Sequence, residues 1–463
     1  MQVTLYGAAG DVTGSAYHVQ NGRASVLVDF GLYQGGHMAD ARNRIPLGIP
    51  MQSLSGVVLT HGHLDHVGRL PLLAQQGYRG WVYCTEATRE LTSLVLHDSA
   101  KLQAHDLERD NRKRERAGQP PLDPLYSGAD VEAILGRVRT VAYRRPVEVA
   151  PGMQARWLEA GHMLGSASIE LTVAENGERR VVVFSGDLGP QDAPILQDAE
   201  PVSRADLVFL ESTYGDRDHR PLPETVREFQ DIVRSVVDRR GKILVPTFAI
   251  GRTQQIFYHL AVAFREGALK KFPVYLDSPM AFEATRIYLH HPELMDEEFQ
   301  ALQRVHPILE DLNTVHATAS PEESRTLNTI AGPCLIMAGS GMCNGGRILH
   351  HLKYNLWRPE TAVLIVGFQA AGTLGRELVE GRPTVRIFGE PIAVRASVHT
   401  LGGFSAHAGQ TDLLRWFGAM AASRPRVVLC HGEDPARQAL AAKLREQYQI
   451  EATLPGLGES VTL

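Results

Sequence analysis

Five apolar runs in this chain end in a residue whose side chain can bind a metal ion. Ser25-Val26-Leu27-Val28 leads to Asp29, and Gly56-Val57-Val58-Leu59 leads through Thr60 to His61. Arg180-Val181-Val182-Val183-Phe184 leads to Asp187, and Ala205-Asp206-Leu207-Val208-Phe209-Leu210 to Glu211. Arg426-Val427-Val428-Leu429-Cys430 leads to His431. Short β-branched apolar runs of this kind read as buried strands. Strands of one sheet would carry these five residues to a common rim, where α/β folds place their sites. One such carboxylate is often structural. Five ligand-type residues at equivalent positions point to a shared site.

The second run continues into His61-Gly62-His63-Leu64-Asp65-His66. His61 and His63 are two apart on a loop leaving a strand, so both imidazoles can reach one cation. Asp65 and His66 follow and can face a second. Imidazole with carboxylate suits zinc, and manganese or iron as well. These ligands are too few for two ions, so the rest of the chain must supply more. His162, in Gly161-His162-Met163-Leu164-Gly165-Ser166 between two expected strands, is the next candidate. By donor count, one metal takes His61, His63 and His162. The other takes Asp65, His66 and His431, and Asp187 bridges the two. Such pairs lie about 3.5–4 Å apart and share a water whose pKa falls toward ~7. Asp29 is expected behind the ligands, orienting an imidazole through its second N–H.

Composition narrows the class. The 463 residues are 44% hydrophobic and 21% charged, with no low-complexity tract. That length allows two or three domains. No run reaches the ~18–20 apolar residues of a membrane span. Met1 to Tyr6 reads as a strand rather than a signal peptide. Four cysteines without a close pair argue against a disulfide framework and for a reducing cytoplasm. A net charge of -5 does not mark the whole chain as a nucleic-acid binder, so an anionic substrate needs a local positive site. Arg109, Arg112, Lys113, Arg114 and Arg116 alternate with acids, which allows a contact to nucleic acid but favours a solvated helix with internal ion pairs.

Strands are expected over 3–7, 17–20, 81–84, 155–159 and 168–173. Helices are expected over 68–77, 128–136 and along a long segment from Thr85. From Tyr214 the rhythm becomes βαβ, with helices near 222–240, 251–268 and 279–290, which implies a mostly parallel sheet. After Pro391 the first style returns, with a strand over Val394 to Val398 and a helix opening at Phe404-Ser405-Ala406-His407.

The run His61-Gly62-His63-Leu64-Asp65-His66, with Asp29, His162 and Asp187, resembles the metallo-β-lactamase fold. Glu211-Ser212-Thr213-Tyr214-Gly215, Gly403-Phe404-Ser405-Ala406-His407 and Cys430-His431-Gly432-Glu433 resemble the three further motifs of its β-CASP branch of RNA and DNA nucleases. The resemblance spans essentially the whole chain. It is strongest to the ribonucleases that include the nuclease subunit of the eukaryotic pre-mRNA 3′-end cleavage machinery and its bacterial relatives. It implies an α/β fold: an αββα metallo-β-lactamase sandwich with an inserted β-CASP α/β cap domain. The first part would cover 1–212, the cap 213–392 and the second part 393–463, with the active site in the cleft between domains.

The resemblance further implies two zinc ions and hydrolysis of single-stranded RNA by in-line displacement, internally, from the 5′ end, or both. Asp65, Asp187, Glu211 and His407 become the catalytic candidates, with His407 the general acid and Glu211 holding its imidazole. His at position 431 accompanies RNA-directed members. In the cap, Ser340 and Gly341 of Gly339-Ser340-Gly341-Met342 become candidate phosphate contacts. Arg252 and Arg376 are weaker ones that also read as structural arginines. The alternatives are a small-molecule hydrolase of the same superfamily, a DNA-directed β-CASP nuclease and a catalytically idle RNA-binding subunit. A homodimer is allowed, but no interface signal stands out in the sequence.

Overall fold

The apolar run before the histidine motif forms the strand Leu54–Val58, buried between Ser25–Val28 and Trp81–Cys84, to both of which it is parallel. This is a computed structural model and describes residues 1–35, 39–45, 48–49, 51–370 and 372–463. Two units are distinguished by their internal contacts. The first holds Met1–Ala193, Gln197–Asp218 and His407–Leu463. The second holds Pro194–Leu196 and His219–Ala406.

In the first unit two seven-stranded sheets pack face to face. One contains Gln2–Leu5, Tyr17–Gln20, Ser25–Val28 and Leu54–Val58. The other contains Met153–Glu159, Ala167–Glu175, Glu178–Phe184, Leu207–Glu211 and Arg426–Cys430. Their inner faces supply one shared core, with Val26, Val28 and Val58 from the first sheet and Trp157, Phe184, Phe209 and Val428 from the second. The outer face of the second sheet is covered by the helices Gln410–Gly418 and Asp434–Tyr448, through Leu413, Phe417, Leu440 and Leu444. The layering is thus the αββα sandwich. One expectation is corrected: the five strands that end in ligand-type residues do not share a sheet. Asp29 and His61 leave one sheet, and Asp187, Glu211 and His431 the other. Each run is apolar because it is buried between layers, so hydrophobicity alone could not assign it to one sheet.

The second unit is built on a six-stranded sheet in the order Val315–Ala317, Val274–Asp277, Cys334–Ala338, Lys242–Pro246, Ala362–Ile365, Ser397–Thr400. Every pairing in it is parallel, as the βαβ rhythm requires. Of the strand expected over 394–398 only Ser397 and Val398 are strand, within Ser397–Thr400, and a separate strand, Glu390–Ala393, ends before it. Between them Arg395 and Ala396 turn their amides to the Leu356 carbonyl. Glu390–Ala393 pairs in a hairpin with Thr384–Ile387, and Ser397–Thr400 joins the parallel sheet. The helix expected to open at Phe404 begins at Gln410, after a 3-10 turn at Gly402–Phe404.

The long helix Glu86–Arg116 ends in side-chain ion pairs, Arg112 with Glu108 and Lys113 with Asp110. All four cysteines are free and buried. Among the described residues no helix is long and apolar enough to cross a membrane.

Candidate metal centre

The site is assembled at the strand ends of the first unit, where the backbone turns sharply. Asp29 has φ +57 and His431 φ +47, both in the left-handed region that non-glycine residues rarely occupy. That turn lifts each side chain over the rim instead of continuing the strand. The short helix Leu64–Val67, which carries Asp65 and His66, is pinned by backbone bonds. The Ser15 amide donates to the Asp65 carbonyl and the Phe30 amide to the His66 carbonyl. The two sheets are tied at the motif itself: the Ala167 amide donates to the Thr60 carbonyl, and Trp157 Nε1 to the Leu59 carbonyl.

Three nitrogens converge on one point. His63 Nδ1 lies 3.2 Å from His61 Nε2 and 3.1 Å from His162 Nε2. Asp187 Oδ2 lies 3.5 Å from both His61 Nε2 and His162 Nε2. A second group adjoins it. His66 Nε2 lies 3.2 Å from His431 Nε2 and 3.3 Å from Asp187 Oδ1, and His431 Nε2 lies 3.5 Å from Asp65 Oδ2. Asp187 therefore faces one group with each oxygen. The atoms within each group lie within 4.8 Å of one another.

The residues present fit a metal. Imidazole nitrogens this close cannot all satisfy one another, since a single proton serves one N···N contact. Asp187 Oδ1, though buried, has no donor aligned on it. A cation accepts lone pairs from all of these at once.

The electrostatics of His61, His63 and Asp187 agree with that reading. Burial, with His66 close by, pushes His61 well below the ordinary histidine value, and burial brings His63 to about 4. Both are thus neutral and able to donate lone pairs. Burial alone would raise Asp187, but His431, His66 and His61 outweigh it and hold the carboxyl well below its usual range. Burial would also lower His66, but the Asp187 and Asp29 carboxylates outweigh it and raise that imidazole.

A second ring of groups orients these side chains. Asp29 Oδ2 lies 2.7 Å from His66 Nδ1, and its other oxygen accepts from the Thr60 amide. The Thr60 hydroxyl donates to Asp29 and lies 3.0 Å from His61 Nδ1. The Thr213 hydroxyl lies 3.1 Å from His431 Nδ1. The Glu159 carboxylate accepts from the Ala160 and Gly161 amides, at the root of the loop that carries His162. Sequence reasoning assigned no role to Thr60, Thr213 or Glu159. A hydroxyl beside a ligand carries no spacing signal, and Glu159 reads as one more strand residue.

His407 and Glu211 form the next layer. His407 Nδ1 lies 3.3 Å from Glu211 Oε1 and 3.9 Å from Asp187 Oδ2. Glu211 is fully buried and fixed by the amides of Leu188 and Thr213.

The cap candidates lie in the second unit. The Ser340 hydroxyl accepts from the Asn344 and Gly345 amides, so it closes its own loop. A Cβ on Gly341 would fall 2.5 Å from the Phe248 ring. Arg252 is buried and donates to Gln255 Oε1, and Arg376 pairs with Glu380 one turn on.

Fold and donor set together define a metal-binding hydrolase fold. Family profiles agree along the chain: the metallo-beta-lactamase superfamily over residues 9–247, the Beta-Casp domain over 253–378, and a Zn-dependent metallo-hydrolase RNA specificity domain over 391–455. The chain belongs to the β-CASP branch of the metallo-β-lactamase superfamily. It is 43% identical to ribonuclease TTHA0252 of Thermus thermophilus over the full length of both chains. It is 30% identical to transcription termination factor FttA of Methanothermobacter thermautotrophicus, across 98% of this chain and 70% of that one. A crystal structure of a protein of unknown function from Enterococcus faecalis shares the fold, at a TM-score of 0.53 and 12% identity, covering 100% of this chain and 99% of that one.

Proposed function

We propose that the protein is a zinc-dependent ribonuclease that hydrolyses phosphodiester bonds of single-stranded RNA, using two ions. The observation that carries this reading is the partition of seven donors into two groups that meet at one carboxylate, Asp187. The ribonuclease and termination-factor relatives, with the match to an RNA specificity domain, support RNA as the substrate class.

One ion would be held by His61, His63 and His162 and the other by Asp65, His66 and His431, with Asp187 between them. When bound, the ions supply charge stabilisation for the phosphate and a water nucleophile at neutral pH. The chain's own residues do the rest. Burial keeps His61 and His63 unprotonated. Asp29 sets the ring of His66, Thr60 that of His61, and Thr213 that of His431. Glu211, locked by two amides, aligns His407, whose imidazole would give a proton to the leaving 3′ oxygen. Ser340, Gly341, Arg252 and Arg376 stand as proposed phosphate contacts. Free, buried cysteines support a reducing, cytoplasmic setting.

Purified protein should hold about two zinc per chain and degrade a labelled single-stranded RNA while sparing the same oligonucleotide as DNA. Mapping the products of a 5′-labelled RNA then separates internal from terminal cleavage. A zinc-loaded protein that leaves every RNA intact would refute the proposal, and equal cleavage of DNA would refute its RNA selectivity.

A further inference from the structure

The helix Arg347–Asn355 in the second unit buries Ile348 and Leu352 in the core beside its sheet. Its other side is lined differently. His350, Tyr354 and, just past the helix end, Trp357 follow the spacing i, i+4, i+7, which is one line along a helix. Tyr354 is 51% exposed and Trp357 48%. A fourth ring extends the line. Phe388, 53% exposed, has its ring centre 4.8 Å from that of His350.

Phe388 sits where neither burial nor backbone preference would put it. Ile387 pairs with Glu390, so Phe388 and Gly389 form a two-residue hairpin turn. Their φ values are +52 and +82, the left-handed pair of a type I′ turn. Asn-Gly or Gly-Gly adopts that turn readily, whereas a phenylalanine is disfavoured there.

The surroundings are basic. Segments 347–358 and 382–395 hold six Lys or Arg against one Glu, in a chain whose net charge is -5. Arg347 is turned to Asp277 and Lys353 to Glu390, while the Arg358 guanidinium lies 4.9 Å from the Trp357 ring centre. A row of exposed rings with a local excess of cations suits an unpaired polynucleotide, because every base offers a π-face and every linkage an anion. From residue 350 to 357 the helix rises about 10 Å. That is room for about three bases at a stacked spacing of about 3.4 Å.

We propose that Phe388, His350, Tyr354 and Trp357 form a stacking track that binds single-stranded RNA apart from the bond being cut. The proposal rests on the ribonuclease reading and deepens it. The competing occupant of the same rings is a second copy of the chain.

The test uses the full-length, zinc-loaded protein and two probes, a uridine 20-mer and a uridine 5-mer. Phe388→Asn removes a ring while suiting the turn better, so it controls for folding. It is combined with Tyr354→Ala and Trp357→Ala. The triple variant should bind the 20-mer about tenfold or more weaker, with zinc content and 5-mer cleavage unchanged. The slope of binding against salt should stay parallel to wild type, since stacking rather than phosphate contact is lost. If 20-mer binding is unchanged, the track does not exist. If sedimentation shows instead that the variant has become a monomer from a wild-type dimer, with RNA affinity intact, the rings are a subunit interface. If the wild type itself neither binds nor cuts any RNA, the ribonuclease reading fails first. Wild-type cleavage with an unaffected triple variant overturns the track alone.

Discussion

Glu159 sits at the root of the loop that carries His162, and burial pushes its carboxyl up to about 7 even though the Gly161 and Ala160 amides and Tyr143 favour its ionised form. The unfolded chain releases this proton near its ordinary value of 4.5. Between about pH 4.5 and 7 the folded chain keeps a proton that the unfolded chain has lost, so stability falls as pH rises. The full penalty is on the order of 3 kcal/mol and is present above about pH 7. Glu159→Gln has no such titration. Urea midpoints at pH 5 and pH 8 should show the variant gaining on wild type as pH rises. A constant difference would mean that Glu159 titrates normally.

His407 calls for a different measurement. His407→Ala should lower RNA turnover by about 10²–10⁴-fold with zinc content unchanged, the size expected for a general acid. Turnover at the wild-type rate would remove the role. Much of this site was legible because ligand residues follow apolar strands. Thr60, Thr213 and Glu159 were not, because they act through partners distant in sequence or through backbone amides, and no spacing records that.

At the scale of elements, the site depends on how closely the strand exits pack. A Cβ on Gly31 would fall 1.5 Å from the Asp65 carbonyl oxygen and 2.6 Å from the His66 amide. Neither atom can yield without moving the short helix Leu64–Val67 that carries two proposed ligands. Gly31→Ala should therefore cost about 1–3 kcal/mol or more. It should also lower zinc content toward one ion per chain, because the group of Asp65, His66 and His431 is the one displaced. Metal analysis beside a thermal melt checks this, and a stable variant with full zinc would contradict it. Elements were read well where one period dominates, as in the parallel sheet of the second unit. They were misread where the pattern allows two outcomes. Val394-Arg395-Ala396-Ser397-Val398 alternates like a strand, yet its middle is drawn off by the Leu356 carbonyl, and a contact made across the fold is invisible to local alternation.

At the scale of the molecule, the chain leaves the first unit and returns to pair Leu207–Glu211 with Arg426–Cys430 in parallel register. The return was legible because an apolar strand ending in a ligand residue reappears near the C-terminus. The division of the strand ends between two sheets was not, because all five runs are buried alike. This topology has a thermodynamic consequence. Every proposed ligand lies in the first unit, so the ions stabilise that unit by binding its folded form. At a free ion concentration a thousandfold above Kd, each site adds about 4 kcal/mol. The second unit has its own core of Leu244, Ile336, Val363 and Ile365 and contains none of these ligands. Stripping the metal with a chelator should therefore speed amide hydrogen exchange in Ser25–Val28, Leu54–Val58 and Arg426–Cys430. Exchange in Lys242–Pro246 and Cys334–Ala338 should be left nearly unchanged. Equal loss of protection in both sets would mean that the two units unfold as one cooperative body. Unchanged protection throughout would mean that the donors around Asp187 hold no ion that matters to the fold.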